Sequence, residues 1–180
     1  IIETKNIIID AASGVTGAGR STDLPYQFCE CTENYKAYKV SNHRHTSEIE
    51  QELSFLANEN ILVSFTPHLT PMKRGMLATI YGNLKKETST SELINLYREF
   101  YKNEFFVRVL DEGKLPETKF VAGSNFIDIS IVVDKRLNRV VVLSCLDNLG
   151  KGASAQAVQD LNIMCGYDEK TGLEAPGLYL

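Results

Sequence analysis

Two apolar runs stand almost back to back in the last third of the chain: Phe126–Val133 (FIDISIVV) and Arg139–Leu146 (RVVVLSCL), separated only by Asp134–Asn138. Runs rich in β-branched residues on either side of a polar loop predict a β-hairpin, although this loop lacks Asn-Gly. In the first run Ile127, Ile129, Ile131 and Val133 point one way, and Phe126, Asp128, Ser130 and Val132 the other. In the second, Val140-Val141-Val142-Leu143 shows no polar alternation at all. A strand that is apolar on both sides is covered on both sides. The chain carries only three good helical patterns, enough for one face. The second face calls either for another copy of the chain, most simply about a two-fold axis, or for the loop of residues 110–124 folded over it.

Ile7–Ile9 and Ile61–Phe65 read as buried strands, the second ended by Thr66-Pro67. Tyr38–Val40, Gly75–Tyr81 and Phe105–Val109 add further strands. Ser47 and Glu50 stand in capping-box spacing beside Ile49, Leu53 and Leu56; Ser89 and Glu92 repeat it ahead of Leu93, Leu96, Tyr97 and Phe100. A last helix is expected over 151–165, stopped at Gly166. Strands adjoining in sequence, with helices between only some of them, predict a single α+β domain over residues 1–180. Its sheet is mixed and largely antiparallel, with helices packed on one face.

Lys and Arg total 19 against 23 Asp and Glu, a net charge of −4, with no basic run to track a phosphate backbone. Nucleic acid is therefore not an expected partner. No apolar stretch reaches the roughly 20 residues of a membrane span, so no membrane association is expected. Four cysteines are too few for a disulfide framework and point to free thiols in a reducing cytoplasm. Cys29 and Cys31 lack C-x-x-C spacing, Cys145 lies in an apolar run and Cys165 at a helix end, so buried, inert thiols are expected. The chain begins Ile1-Ile2-Glu3 and is expected to be a piece of a longer one.

The histidines fall in two segments. His43-Arg44-His45-Thr46-Ser47-Glu48 precedes a helix, and an extended backbone there projects His43 and His45 to one side. Such a pair suits acid–base work near neutral pH. With Glu48 it has the spacing of a metal site, but no fourth ligand accompanies it and no metal is expected. Capping or surface histidines are the simpler alternative. His68 lies in Phe65–Gly75 (FTPHLTPMKRG), where two prolines stiffen the chain and Lys73 and Arg74 follow. That is a setting for a phosphate or carboxylate, or for an ordinary turn. Gly14, Gly17 and Gly19 have the wrong spacing for the dinucleotide fingerprint G-x-G-x-x-G, but suit close approach of backbone to a ligand. Asp147–Ala153 (DNLGKGA) opens the last helix, where free amides favour an anion or a polar ligand edge.

Taken together and in this order, SGVTGAGR (13–20), HRHTSEI (43–49), FTPHLTPMKRG (65–75), PETK (116–119), GSNF (123–126) and DNLGKGA (147–153) resemble the C-terminal half of the N-acetyl-gamma-glutamyl-phosphate reductases. The resemblance spans nearly the whole chain. The last stretch is also similar to the related aspartate-semialdehyde dehydrogenases. The resemblance implies a fold like the C-terminal domain of glyceraldehyde-3-phosphate dehydrogenase. It implies NADP(H)-dependent reduction of N-acetylglutamyl phosphate to the semialdehyde, in arginine biosynthesis, through a cysteine thioester. His43, or failing that His45, would be the acid/base. Arg20, Glu48, His68, Lys73 and Arg74 would surround the substrate, and Ser13, Gly14 and Asn148 would lie beside the nicotinamide. The family's nucleophile stands in a Gly-x-x-Gly-Cys-Tyr stretch that this chain lacks, as it lacks the dinucleotide fingerprint. Ser47 also stands where the family commonly has proline. The expectation is a substrate-binding and dimer-forming part, inactive alone and completed by its own N-terminal nucleotide-binding domain. The alternatives are a piece of an aspartate-semialdehyde-dehydrogenase-like enzyme, or a non-catalytic interaction domain of the same fold.

Overall fold

The computed structural model describes residues 1–179. In chain order the elements are β1 (Ile7–Gly14), α1 (Phe28–Cys31), β2 (Lys36–Ala37), α2 (His45–Ala57), β3 (Val63–Thr70), β4 (Met76–Asn83), α3 (Thr90–Phe100), β5 (Val107–Val109), α4 (Thr118–Val121), β6 (Ile127–Asp134), β7 (Arg139–Leu146) and α5 (Ala155–Met164). The strands form one seven-stranded sheet in the order β2-β3-β1-β4-β7-β6-β5. β1 runs parallel to β3 and β5 to β6, while the other pairings are antiparallel, so the sheet is mixed and largely antiparallel as expected.

Register decides which side chains share a face. Ile9 lies between Phe65 and Ile80, Ile80 beside Val142, and Val142 beside Ile131. This face carries both long central helices. Ile49 and Leu53 of α2 pack on Ile7, Ile9, Ala11 and Phe65; Leu93 and Ile94 of α3 pack with Ile129, Ile131 and Val140. Each such side chain, fully buried, contributes on the order of 1.5–3 kcal/mol. Leu56, expected on the inner face of α2, is instead 78% exposed.

The opposite face aligns Ile8, Tyr81, Val141 and Val132 in one row, and Asp10, Thr79, Leu143 and Ser130 in the next. The 110–117 segment covers its β6 end, where the Ser130 hydroxyl donates to the Lys114 carbonyl at 2.7 Å and Pro116 is buried. Towards the middle, Val141 and Leu143 are only half-buried and Val132 is exposed.

The hairpin and the Ser89–Glu92 capping box form as the sequence predicts. Three elements differ. The short strand expected over Tyr38–Val40 lies at Lys36–Ala37 instead. β3 does not end at Thr66-Pro67 but runs on to Thr70. The Pro67 carbonyl accepts from the Tyr38 amide, so its missing N–H faces the two-residue edge strand β2 and not β1. α2 begins at His45, ahead of the expected Ser47 cap. The Ser47 hydroxyl donates to the Arg44 carbonyl, and the Glu50 carboxylate accepts from the Val63 amide at 3.1 Å, tying α2 to the head of β3. The His45 amide, one of the donors a helix start leaves without a partner, donates to Nδ1 of His43 at 3.1 Å. The last helix opens with a π-turn, Gly150–Ser154, and ends at Gly166 in a Schellman motif, with Tyr167 N–H bonded to the Asn162 carbonyl and Gly166 N–H to that of Ile163.

Asp147, fully buried just beyond β7, joins segments remote in sequence. Its carboxylate accepts from the amides of Leu149 at 2.8 Å, Gly150 at 3.0 Å and Gly123, and from the Arg74 guanidinium at 2.8 Å. Burial by itself pushes this carboxyl up; the Gly123, Gly150 and Leu149 amides and then Arg74 outweigh it and hold the group below its ordinary value. Asp147→Asn therefore costs about 3 kcal/mol, the scale of a broken buried pair, when urea unfolding is compared at pH 7. The folded carboxyl lies below its unfolded value of about 3.9. Its contribution is complete above that pH and is lost as the pH falls through the folded value. The gap between wild type and Asp147→Asn accordingly closes below pH of about 4 in the same titration.

Candidate active site

The early start of α2 sets His43 over Phe65 on the helix-bearing face. The His43 ring meets Tyr38, Phe65 and His45 edge-on, with centroids 5.6, 5.4 and 4.7 Å away. His43 is half-buried, while His45 and Glu48, in the first turn of α2, are exposed. Burial, and then the neighbouring His45, Lys39 and Arg44, lower the pKa of His43 from 6.5 and so disfavour its charged form.

A second cluster gathers where β1 and β3 end and β4 begins. Gly14 lies so close to the 72–73 segment that a Cβ would stand 2.9 Å from the Lys73 carbonyl oxygen. Its amide donates to the Gly75 carbonyl at 2.9 Å, and the Gly75 amide to Asn148 Oδ1 at 2.8 Å. Asn148 Nδ2 donates to the Thr16 hydroxyl at 3.0 Å, and the Thr70 hydroxyl to the Ser13 carbonyl at 3.0 Å. Arg74 is held by Asp147 with 41% of its side chain still exposed. Lys73 gives its carbonyl to Thr16 and leaves its side chain exposed, and Arg20 is exposed beyond Gly19. The anion expected at the start of the last helix is thus supplied by the chain itself, as Asp147.

The structure brings His43 together with His45, and Ser13 and Gly14 together with Lys73, Arg74 and Asn148, as two separate groups. Phe65 under the imidazoles and Thr70 at the loops are five residues apart on β3, about 17 Å. His68 stands on the opposite face, stacked on Tyr35 at 5.2 Å with its Nδ1 buried and without a partner. Asp147 and Tyr38 belong to these clusters and were not singled out from sequence; the helix-start amides beside Asp147 were the available signal. Burial first, then Asp128 and Glu117, push the Cys145 thiol up to about 12, which keeps it protonated. Cys31 is buried too, but Cys29 and Cys165 are exposed, contrary to expectation.

The glycine-rich edge exposes Gly17 and Gly19, yet the polar atoms of Asn148 are engaged within the chain. Among the described residues, no three metal-ligating side chains converge and no helix is long and apolar enough to cross a membrane.

Comparison with known proteins identifies the family. Residues 1–148 match the family described as "Semialdehyde dehydrogenase, dimerisation domain". The chain is 78% identical over 180 residues to the N-acetyl-gamma-glutamyl-phosphate reductase of Acetivibrio thermocellus, covering 100% of this chain and 52% of that protein. It is 58% identical over 179 residues to the protein of that name from Geobacter sulfurreducens, covering 99% and 52%. The chain thus spans about half the length of the curated relatives it matches. Among solved structures, aspartate semialdehyde dehydrogenase II from Vibrio cholerae superposes with a TM-score of 0.67 at 13% identity, over 91% of this chain and 56% of that one. A probable aspartate-semialdehyde dehydrogenase from Pseudomonas aeruginosa gives 0.68 at 16% identity, over 88% and 55%. At such identities these two structures speak to the fold alone. With most of its length matched by the family's model, the chain belongs to the semialdehyde dehydrogenase dimerisation-domain family.

Proposed function

We propose that the chain is the substrate-binding and dimerisation part of an N-acetyl-gamma-glutamyl-phosphate reductase, a cytoplasmic NADP(H)-dependent enzyme of arginine biosynthesis that turns an acyl phosphate into an aldehyde. The observation that carries this reading is 78% identity across all 180 residues to a protein of that name. In this reading His43, flanked by His45, meets the reacting carbonyl oxygen. Arg74, aimed by Asp147, and the exposed Lys73 and Arg20 answer the phosphate or carboxylate of the substrate. Glu48, exposed in the first turn of α2 beside His45, is the remaining substrate-side group, and His68, on the other face of the sheet, is not one of them. Ser13, Gly14 and Asn148 form the rim nearest the nicotinamide, and NADP(H) is the source of hydride. The nucleotide-binding turn and the thiolate belong to an N-terminal domain, so the chain alone does not turn over substrate. The exposed Val158 and Leu161 of α5 are where that domain packs.

The sheet face that α2 and α3 leave open is the dimer surface, with Val141 and Leu143 near its middle. Light scattering of the purified chain should then give twice 20.1 kDa. Leu143→Lys should halve that mass with the circular dichroism spectrum kept; an unchanged dimer would move the interface elsewhere. In the full-length enzyme, His43→Ala should lower kcat by about 10²–10³, the worth of a group aimed at a reacting oxygen, with KM little changed.

A further inference from the structure

The carboxylate that aims Arg74 is held from two directions. The Leu149 and Gly150 amides lie next to Asp147 in sequence, but the Gly123 amide comes from the turn that follows α4. α4 also presses on the link that carries Arg74, since a Cβ on Gly75 would stand 2.7 Å from the Thr118 Cβ. This short element therefore supports Arg74 at two points, through the Asp147 carboxylate and through Gly75. It is only four residues long, Thr118–Val121, and a single helical turn does not hold itself together in water. Fully buried Val121 fixes its inner side.

Residues 177–179 hold the outer side. The Leu178 amide donates to the Ala122 carbonyl at 2.8 Å, and the Leu178 Cδ1 atom would meet a Cβ on Gly123 at 2.7 Å. Tyr179 stacks on Phe120 with ring centroids 5.4 Å apart, and the Lys119 ammonium lies 5.3 Å from the Phe120 ring and 5.0 Å from that of Tyr179. Gly177 passes so close to α4 that a Cβ on it would overlap the Phe120 carbonyl oxygen. Its backbone is not left-handed, so glycine serves the close approach and not a turn. The segment makes these contacts without entering the core, because Leu178 and Tyr179 stay mostly exposed.

We propose that residues 177–179 are a strap that keeps α4 seated against the Asp147–Arg74 pair, which makes Gly177 and Leu178 positioning residues for the cation that meets the substrate. This rests on the reading of Arg74 as a substrate-side group. Arg74 keeps 41% of its side chain exposed, so its aim depends on its anchor. That anchor is a buried charge, and it needs each of its donors to offset the loss of water. When the strap lifts, α4 loosens and the Gly123 amide draws away from the carboxylate. Arg74 then gains rotamer freedom that the bound substrate must take away again. The strap itself meets no substrate and takes part in no bond-making step, so the loss falls on binding.

The test uses the full-length enzyme. Gly177→Ala should lower kcat/KM for the acyl phosphate about tenfold, chiefly through KM, with the circular dichroism spectrum kept. Deuterium exchange of the 118–124 amides, followed by mass spectrometry, should quicken in the same variant. Leu178→Ala keeps the amide and shortens the side chain that lies on Gly123. It should show the same two changes to a smaller degree, and it carries the test if Gly177→Ala fails to fold. The deciding measurement is coupling with Arg74→Ala. If the strap acts through Arg74, adding the strap substitution to Arg74→Ala should cost no further kcat/KM. Losses that simply multiply in the double variant, or wild-type kcat/KM in the strap variants, overturn the proposal. Wild-type kcat/KM in Arg74→Ala overturns the reading of the site instead.

Discussion

One buried carboxylate holds the loop end of this domain together. Asp147 draws the Gly123 turn, the entry to the last helix and the β3–β4 connection onto a single group. Taking that charge out of water is costly, and only this set of amides and one guanidinium repays it. Whatever Arg74 and Asn148 do for a ligand depends on this contact. The C-terminal tail lies over the same place: the Leu178 amide donates to the Ala122 carbonyl, and the Leu178 side chain fills the space a Cβ on Gly123 would take.

The two halves of the site are prepared by opposite electrostatic means. At the loops a cation is matched by a buried anion, which aims Arg74 while leaving part of its guanidinium free. At the imidazoles a half-buried ring sits beside Lys39, Arg44 and aromatic edges, in surroundings that disfavour its charged form. Both arrangements hold polar groups in fixed positions, and a group already fixed needs no reorganisation to meet a developing charge.

Much of this was legible in the sequence where the cause was local. The hairpin followed from alternation on one strand and its absence on the other, and the Ser89–Glu92 cap from a spacing that needs only its own turn. Readings failed where a distant partner decided. Ser47 and Glu50 have the spacing of a cap, but Glu50 answers the Val63 amide thirteen residues on, and His43 takes the helix start. Pro67 reads as a strand end, and only the shortness of β2 lets β3 continue through it. The resemblance puts His68 among the substrate-side groups, yet strand alternation sends it through the sheet to Tyr35. Arg74 looked like a free cation because its partner, Asp147, lies seventy-three residues away. Side-chain chemistry was readable from residue type, whereas pairing across the sheet was not.

The open sheet face carries one more consequence. A half-buried surface holding Ile8, Tyr81, Val141 and Leu143, with Asp10 and Thr79 among them, is left without a cover from α2 or α3. If a second copy supplies it, association and folding draw on the same free energy, and the resistance of the domain to heat becomes a function of its own concentration. A dilute sample and a concentrated one would then be different proteins as far as unfolding is concerned, with the protomer acting as its own stabilising ligand.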